Sequence, residues 1–514
     1  MKQVIALFAL ISFLFITVPA AVPDTPADPS KAIRVTPKAP VFTTKERHDE
    51  LKRRRDKVAA KMADNSILIL ISAEPKIYTN DVDYHYRQEN NLFYLTAIGQ
   101  NGANLVLTKN GGSVGEYLFL PKRNPQFETW NGRMLSNEEA TGISGISNVI
   151  DSANWKDFIA ALKEKKEFSF ENASLTGPSA PASVYLLTGE DEREYGREQA
   201  LAEELSGYKV ENSEPIFADL RLVKSPYELK LLQHAIDITT EALGRSMGVA
   251  GISDWEYEVQ AEVEYTFRRR NADFWGYPSI VGCGENATTL HYVESQGRVK
   301  KGELLLMDVG AEYQHYTADI TRTFPVNGKF TKEQADIYQI VYDAQEAAAS
   351  TMKPGSTVGQ ASRAAANTIE DGLVKLGLVT SKGATYDFEF NGQTMKRPQY
   401  TLWYMHGWGH WIGMNVHDVG GYGTFAEGMV ITNEPGIYIR EDALDYLPDT
   451  PANAEMKKAI KASFEKYASI GIRIEDDMLV TRNGVEWMSK ALPRSIEDVE
   501  AFMASASAEM RGRR

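Results

Sequence analysis

The sequence predicts a two-domain α+β protein, with an N-terminal α/β domain over residues 44–216 and a larger domain of helices and strands over 217–500. Three observations lead to this prediction. The chain has 514 residues, more than a single hydrophobic core ordinarily organises. Short apolar runs alternate with helical patterns as far as about residue 215. The pair Ser225-Pro226 then opens a second unit, with an N-cap residue followed by the one residue type that suits the first helical position. At 43% hydrophobic and 25% charged residues, the composition is that of a soluble globular protein and excludes a disordered or fibrous class.

The elements follow in chain order. Lys2 precedes an apolar run from Val4 to Val18 that is interrupted only by Ser12 and Thr17, and Pro19, Ala20 and Ala21 come next. A basic start, a short apolar stretch and small residues describe a secretory signal peptide over 1–21. The run is short for a membrane anchor, which must cross about 30 Å of hydrocarbon. The expectation is an exported protein, periplasmic or secreted, with no membrane attachment after cleavage. Residues 22–43 are rich in Pro, Ala, Asp and Thr and read as an extended linker. A charged helix is expected over 46–62. Its run Lys52-Arg53-Arg54-Arg55 is interleaved with Asp49, Glu50 and Asp56, which reads as a solvated face. Strands are expected at 66–71, 91–98, 103–108 and 117–120, with a helix at 155–163. The tail, 501–514, is small, polar and basic and is expected to fray.

The bulk charge narrows the function. A net charge of −14 argues against a nucleic-acid partner, because phosphate binding needs a basic face. Cys283 is the only cysteine, so no internal disulfide forms. Set between Gly282 and Gly284, it reads as a small packed residue and not as a nucleophile.

The chemistry-bearing residues lie in the second unit. Of eight histidines, three fall close together: His406, His410 and His417, in YMHGWGHWIGMNVHDVGGYG. The spacing of the first two matches that of helical zinc proteases, but Gly407 stands where those carry Glu, and Gly409 weakens a helix. The segment therefore reads as an irregular loop that brings imidazoles into a cleft. Asp308 ends the apolar strand LLLMD, and Asp319 opens DITRTF after a short turn. Two strands so joined form a hairpin that sets the acids side by side. Side by side on an apolar sheet they repel unless protonated or bridged by a cation. Glu434 sits in the apolar run MVITNEPGIYI. In GIRIEDDMLVT, Arg473 and Glu475 alternate with Ile472 and Ile474 and so share a face. Four carboxylates and one imidazole suit a pair of divalent cations, manganese first and cobalt or zinc as alternatives. Such a pair can hold a bridging hydroxide and clamp an attacked carbonyl, which implies amide hydrolysis.

Asp308, Asp319, His410, Glu434 and Glu475, in the contexts MDVG, DITRTF, GHWIGMNVHDVG, NEPG and GIRIEDD, resemble the "pita-bread" metallopeptidases. Within them the chain is similar to the Xaa-Pro aminopeptidase (aminopeptidase P) and prolidase branch, over about residues 45–500. DYHYRQENNLFYLTAIG and ETWNGR resemble that branch's non-catalytic N-terminal domain. The resemblance implies a catalytic domain built around a curved antiparallel sheet. It implies that Asp308 binds one metal, that His410 and Glu434 bind the other, that Asp319 and Glu475 bridge, and that Glu434 is the general base. It places His291 near the substrate N-terminus, His406 and His417 near the scissile carbonyl and the proline pocket, and Tyr277 and Arg473 at further pocket positions. Trp130 matches a residue that reaches a neighbouring subunit's site, which implies a homo-oligomer, a dimer or tetramer. The implied substrates are peptides with proline in second position. Two alternatives are a prolidase confined to Xaa-Pro dipeptides and a catalytically inactive binding module on the same fold. Residues 380–400 and 442–468 are longer than a compact member of the family needs, and a long loop there would narrow access to the cleft.

Overall fold

The computed structural model describes residues 32–170, 173–174, 181–189 and 192–512. The expected signal peptide and the first part of the expected linker, residues 1–31, lie outside these. Helix α1 (Thr44–Lys61) begins at Thr43, whose hydroxyl accepts from the Glu46 N–H while the Glu46 carboxylate accepts from the Thr43 N–H. Its basic run is a solvated face only at Lys52 and, in part, Arg53. Arg54 and Arg55 are 4% and 1% exposed. Arg54 lies over the Tyr94 ring, pairs with Glu50 and donates to the Tyr94 carbonyl. Arg55 donates to the Leu95 and Ser144 carbonyls. Guanidinium groups tolerate such burial when each N–H finds an acceptor, and here they fix α1 to the segment that follows.

That segment corrects a second expectation. Residues 91–98 form no strand, because the chain is helical at Asn90–Thr96 (α2). The Glu89 side chain caps it by accepting from the Asn91 and Leu92 N–H groups. The apolar run LFYL is compatible with either period, and the cap decides. The main N-terminal strands are β1 (Ser66–Leu70), β2 (Asn104–Asn110), β3 (Ser113–Leu120), β4 (Asn148–Asp151), β5 (Ser183–Leu186) and β6 (Lys209–Asn212). They form one mixed sheet in the order β6-β5-β1-β2-β3-β4. The uninterrupted apolar character of β1 follows from burial on both faces. Leu68, Leu70, Leu105 and Leu107 join the main core, while Ile67, Ile69, Val106 and Phe119 join a second core with Phe158 and Leu162.

The second unit opens with α3 (Pro226–Val249), capped by Ser225 and Glu228. Its partner is α4 (Ile496–Arg511), so the tail is not frayed as far as it is described, to residue 512: Met503, Ala506 and Met510 are buried. The approach is close, since a Cβ at Gly248 would stand 2.7 Å from the Met510 side chain. Residues 32–43 run against this pair. Ile33 is 2% exposed, and Thr36 donates to Glu241 through both its N–H and its hydroxyl, at 2.7 and 2.6 Å. This part of the expected linker is docked rather than free.

Among the helices lie the strands that carry the site. β7 (Ile280–Cys283), β8 (Leu304–Val309) and β9 (Ile320–Pro325) pair antiparallel in that order, with Asp308 opposite Thr321. The expected hairpin is therefore present, but the intervening residues form a further small hairpin, Ala311–Tyr313 with Tyr316–Thr317. β10 (Val430–Asn433) pairs with β13 (Asp476–Thr481), and β11 (Gly436–Ile439) pairs with β12 (Ile470–Arg473). The two long stretches are ordered elements rather than loops: a hairpin, Thr385–Phe390 with Gln393–Pro398, and a helix, Pro451–Tyr467. Asn453 joins them by accepting from the Asp387 N–H and donating to its carbonyl.

Candidate active site

Two strand breaks and one loop bring the acids and imidazoles together. Asp308 projects from β8, and Asp319 precedes β9. Glu434 lies between β10 and β11, and Glu475 between β12 and β13. The histidine loop is irregular, as its glycines suggest, and it crosses β10: the His410 N–H donates to the Thr432 hydroxyl, and the Thr432 N–H donates to the His410 carbonyl. Gly409 is required there, because a Cβ would collide with the Thr432 carbonyl.

The donor atoms converge. Those of Asp319, His410 and Glu475 lie within 4.8 Å of one another. His410 Nε2 is 3.3 Å from Asp319 Oδ2 and 3.4 Å from Glu434 Oε1. Its Nδ1 is 3.1 Å from the Trp411 carbonyl, a contact that turns Nε2 toward the carboxylates. The Tyr277 hydroxyl lies 2.5 Å from Asp308 Oδ1 and 2.6 Å from Asp319 Oδ1, bridging them. Arg473 donates to Asp308 Oδ2 at 2.6 Å, and the Thr321 hydroxyl donates to Glu475 Oε2 at 2.6 Å.

The electrostatics expose a deficit of positive charge. Burial and the Asp308 charge push the Asp319 carboxyl up to about 6. Burial, with the charges of Asp319 and Asp308, pushes Glu434 up to about 7 against the pull of His410. Glu475 is driven well above its ordinary range by burial and by all three neighbouring acids. Asp308 alone is held low, because Arg473 and Tyr277 outweigh its burial. His410 moves up to about 9 despite burial, since Asp319 and Glu434 favour its cation. A group of buried carboxylates with so little compensating charge fits divalent cations, and the donor set of hard oxygens and one imidazole fits them as well.

The other expected residues fall around this centre, with one exception. His406 Nε2 is 3.0 Å from the Tyr438 hydroxyl, and His406 Nδ1 is 3.9 Å from Glu434 Oε2. Burial holds the His406 imidazole down to about 4, so it is neutral at physiological pH. The His417 ring meets that of His410 edge-on, with centroids 4.3 Å apart. His291 is exposed on the loop after β7, within electrostatic reach of His406 and His417. Trp130 is the exception: it stands 84% exposed on the N-terminal helix Pro125–Asn131. Cys283 is buried, and its thiol is pushed up to about 12, in keeping with a packing role.

Several supporting residues carry no signal of their own in the sequence. Tyr438 accepts from Arg473 Nη1 at 2.6 Å and so links Arg473 to His406, although in the run GIYI it reads as one more apolar strand residue. Arg322 is fully buried, pairs with Asp476 and donates to the carbonyls of Thr321 and Glu475. Asp477 Oδ2 accepts from the Asp319 N–H at 3.2 Å.

Fold and site together define a metallopeptidase. Residues 230–482 match the model of metallopeptidase family M24, and residues 51–169 match that of the aminopeptidase P N-terminal domain. The chain is 35% identical over 461 residues to the Xaa-Pro aminopeptidase of Haemophilus influenzae, covering 88% of this chain and 97% of that protein. It is 33% identical over 463 residues to the Xaa-Pro aminopeptidase of Escherichia coli, covering 89% and 98%. It superimposes on Escherichia coli aminopeptidase P with the inhibitor Pro-Leu at a TM-score of 0.75 and 29% identity, over 91% of this chain and all of that one. The chain belongs to metallopeptidase family M24, with the two-domain organisation of its Xaa-Pro aminopeptidases, and is a metal-dependent exopeptidase.

Proposed function

We propose that this enzyme removes the N-terminal residue from peptides whose second residue is proline, at a site holding two divalent cations, manganese first among them. The observation that carries this reading is the cluster of four acids beside His410: Asp319 and Glu434 face its imidazole, Glu475 lies with them and Asp308 joins through Tyr277, with burial first and mutual repulsion second raising three of the four. The relatives of Haemophilus influenzae and Escherichia coli, both Xaa-Pro aminopeptidases, suggest the substrate class. In this reading Asp308, Asp319, His410, Glu434 and Glu475 would hold the cations, Asp308 toward one and His410 with Glu434 toward the other, and Asp319 and Glu475 would be shared. When bound, such a pair supplies a hydroxide nucleophile at neutral pH and polarises the scissile carbonyl.

The chain's own groups do the rest. Glu434, whose carboxylate lies 3.4 Å from His410 and 3.9 Å from His406, takes the proton of the attacking water. The leaving group is a tertiary amide nitrogen, which departs as a secondary amine only after gaining a proton, and Glu434 returns it. His406 stands beside the scissile carbonyl, with His417 at the proline ring and His291 near the substrate N-terminus. Tyr277 and Arg473 fix the carboxylates and line the pocket. The exposure of Trp130 suits a side chain that completes a neighbouring subunit's cleft in a dimer or tetramer. Lys2, the apolar run behind it and the small residues after that support export.

The test is hydrolysis of an Xaa-Pro tripeptide beside an Xaa-Pro dipeptide, each with added manganese and with chelator. Metal-dependent release of the first residue from the tripeptide is expected. Cleavage of the dipeptide alone makes the enzyme a prolidase, and cleavage of neither removes the proposal.

A further inference from the structure

Glu256 is fully buried at the first turn of the helix Glu256–Arg269, yet nothing in the hydrolytic chemistry uses it. Its carboxylate is saturated with donors. Oε1 accepts from the Cys283 N–H at 2.7 Å and from Asn286 Nδ2 at 2.9 Å, and Oε2 accepts from the Gly297 N–H at 2.7 Å and from the Tyr292 hydroxyl at 2.9 Å. All four donors belong to the segment 283–297, and His291 lies at its exposed turn, next to Tyr292. Both ends of that segment are pinned to the start of the same helix. The Glu256 N–H donates to the Gly297 carbonyl at 3.0 Å, and the Arg298 guanidinium lies 3.8 Å from the Trp255 ring centroid. Gly297 is what lets the backbone come this near, since a Cβ there would stand 2.7 Å from Glu256 Oε1. Tyr292 is also tied back to the segment, its hydroxyl accepting from Asn286 Nδ2 and the Gln296 N–H.

We infer that Glu256 is a positioning residue for His291: it gathers the two arms of the loop onto one buried carboxylate and so sets the imidazole at the cleft. A charged acceptor shared by four donors is a stiffer clamp than the same number of neutral bonds. The inference rests on the reading of His291 as a substrate-contacting residue. Glu256→Gln keeps the shape but turns one acceptor into a donor that faces a backbone N–H. Tyr292→Phe is the gentler variant, removing one donor at the residue beside His291.

The experiment is a double-mutant cycle on metal-loaded full-length protein, with kcat and KM measured on an Xaa-Pro tripeptide. The variants are Glu256→Gln, Tyr292→Phe, His291→Ala and each pair with His291→Ala, with bound metal measured for each. Glu256→Gln is expected to lower kcat/KM about ten-fold in the natural background, the worth of one charged hydrogen bond. It should lower it less than about two-fold once His291 is gone, with Tyr292→Phe following the same pattern at smaller size. Equal losses in the two backgrounds overturn the positioning role, as does undiminished kcat/KM in Glu256→Gln. Should Glu256→Gln fail to fold, Tyr292→Phe decides by the same comparison. An unimpaired His291→Ala refutes the reading of His291 itself, an outcome the single variant shows by itself.

Discussion

Arg221→Met probes how the domain junction holds the histidine loop. Arg221 is 2% exposed, in the last turn of the helix Glu214–Leu222 between the domains. It donates to Asn91 Oδ1 at 2.9 Å on the N-terminal side, and to Asn415 Oδ1 and Asp418 Oδ1, both at 2.5 Å, on the catalytic side. Asp418 directly follows His417. Burial pushes its carboxyl up, but Arg221 and Lys224 together hold it below its ordinary range. Methionine fills similar volume and removes all three hydrogen bonds, leaving Asp418 with Lys224 at 3.2 Å and the Asn415 N–H at 3.4 Å. Breaking a buried pair from one side costs about 3–5 kcal/mol, and Lys224 keeps the expected loss near the lower end, about 3 kcal/mol. The assay is urea denaturation of the metal-loaded protein at neutral pH, read as the midpoint at constant slope. Turnover should fall in the same variant under native conditions, because Asn415 and Asp418 end the loop that carries His410 and His417. A loss below about 1 kcal/mol with full turnover would refute the reasoning.

Two further predictions concern the metal centre and the domain junction. Glu434→Gln should fold, keep part of its metal and lose at least about 100-fold in turnover, the usual worth of a general base; substantial residual turnover removes that role. Glu50 bears on acid stability. Burial opposes its charge, but hydrogen bonds from Arg53 and Ser225 and the charge of Arg54 hold it down to about 2. A carboxyl depressed in the folded state adds stability that is complete above its unfolded value near 4.5 and is lost as pH falls toward 2. The advantage of the natural protein over Glu50→Gln, followed as melting temperature, should therefore shrink between about pH 5 and 3. A constant gap would mean that the pairing does not couple to folding.

Much of the catalytic strand layout is legible in the sequence, because an acid in an apolar run is costly unless something compensates it, and MDVG, NEPG and GIRIEDD each carry that conflict. The capping pair of Ser225 and Glu228 is legible for the same local reason, since both partners lie within one turn. What the sequence conceals is set by contacts between distant residues. The run LFYL is compatible with strand or helix until Glu89 caps it. Arg54 and Arg55, within a run whose Lys52 is solvated, look solvated too until Tyr94, Leu95 and Ser144 present acceptors from other elements. The tail from residue 501 looks frayed until α3 offers Gly248 as a groove for Met510. Tyr438 and Asp477 acquire their roles only when β11, β12 and β13 bring them against Arg473 and Asp319. Glu256 collects donors from as far as Gly297, contacts that no local pattern reveals.

The central claim, that these five side chains hold a pair of cations which turnover requires, is tested most directly by stoichiometry. Chelator-stripped protein would be titrated with manganese, with bound metal per chain measured by elemental mass spectrometry beside tripeptide turnover. Full turnover is expected to coincide with two ions per chain, and Asp308→Ala is expected to lose one of them together with activity. Full turnover with a single ion per chain, or in the stripped protein, would contradict that claim.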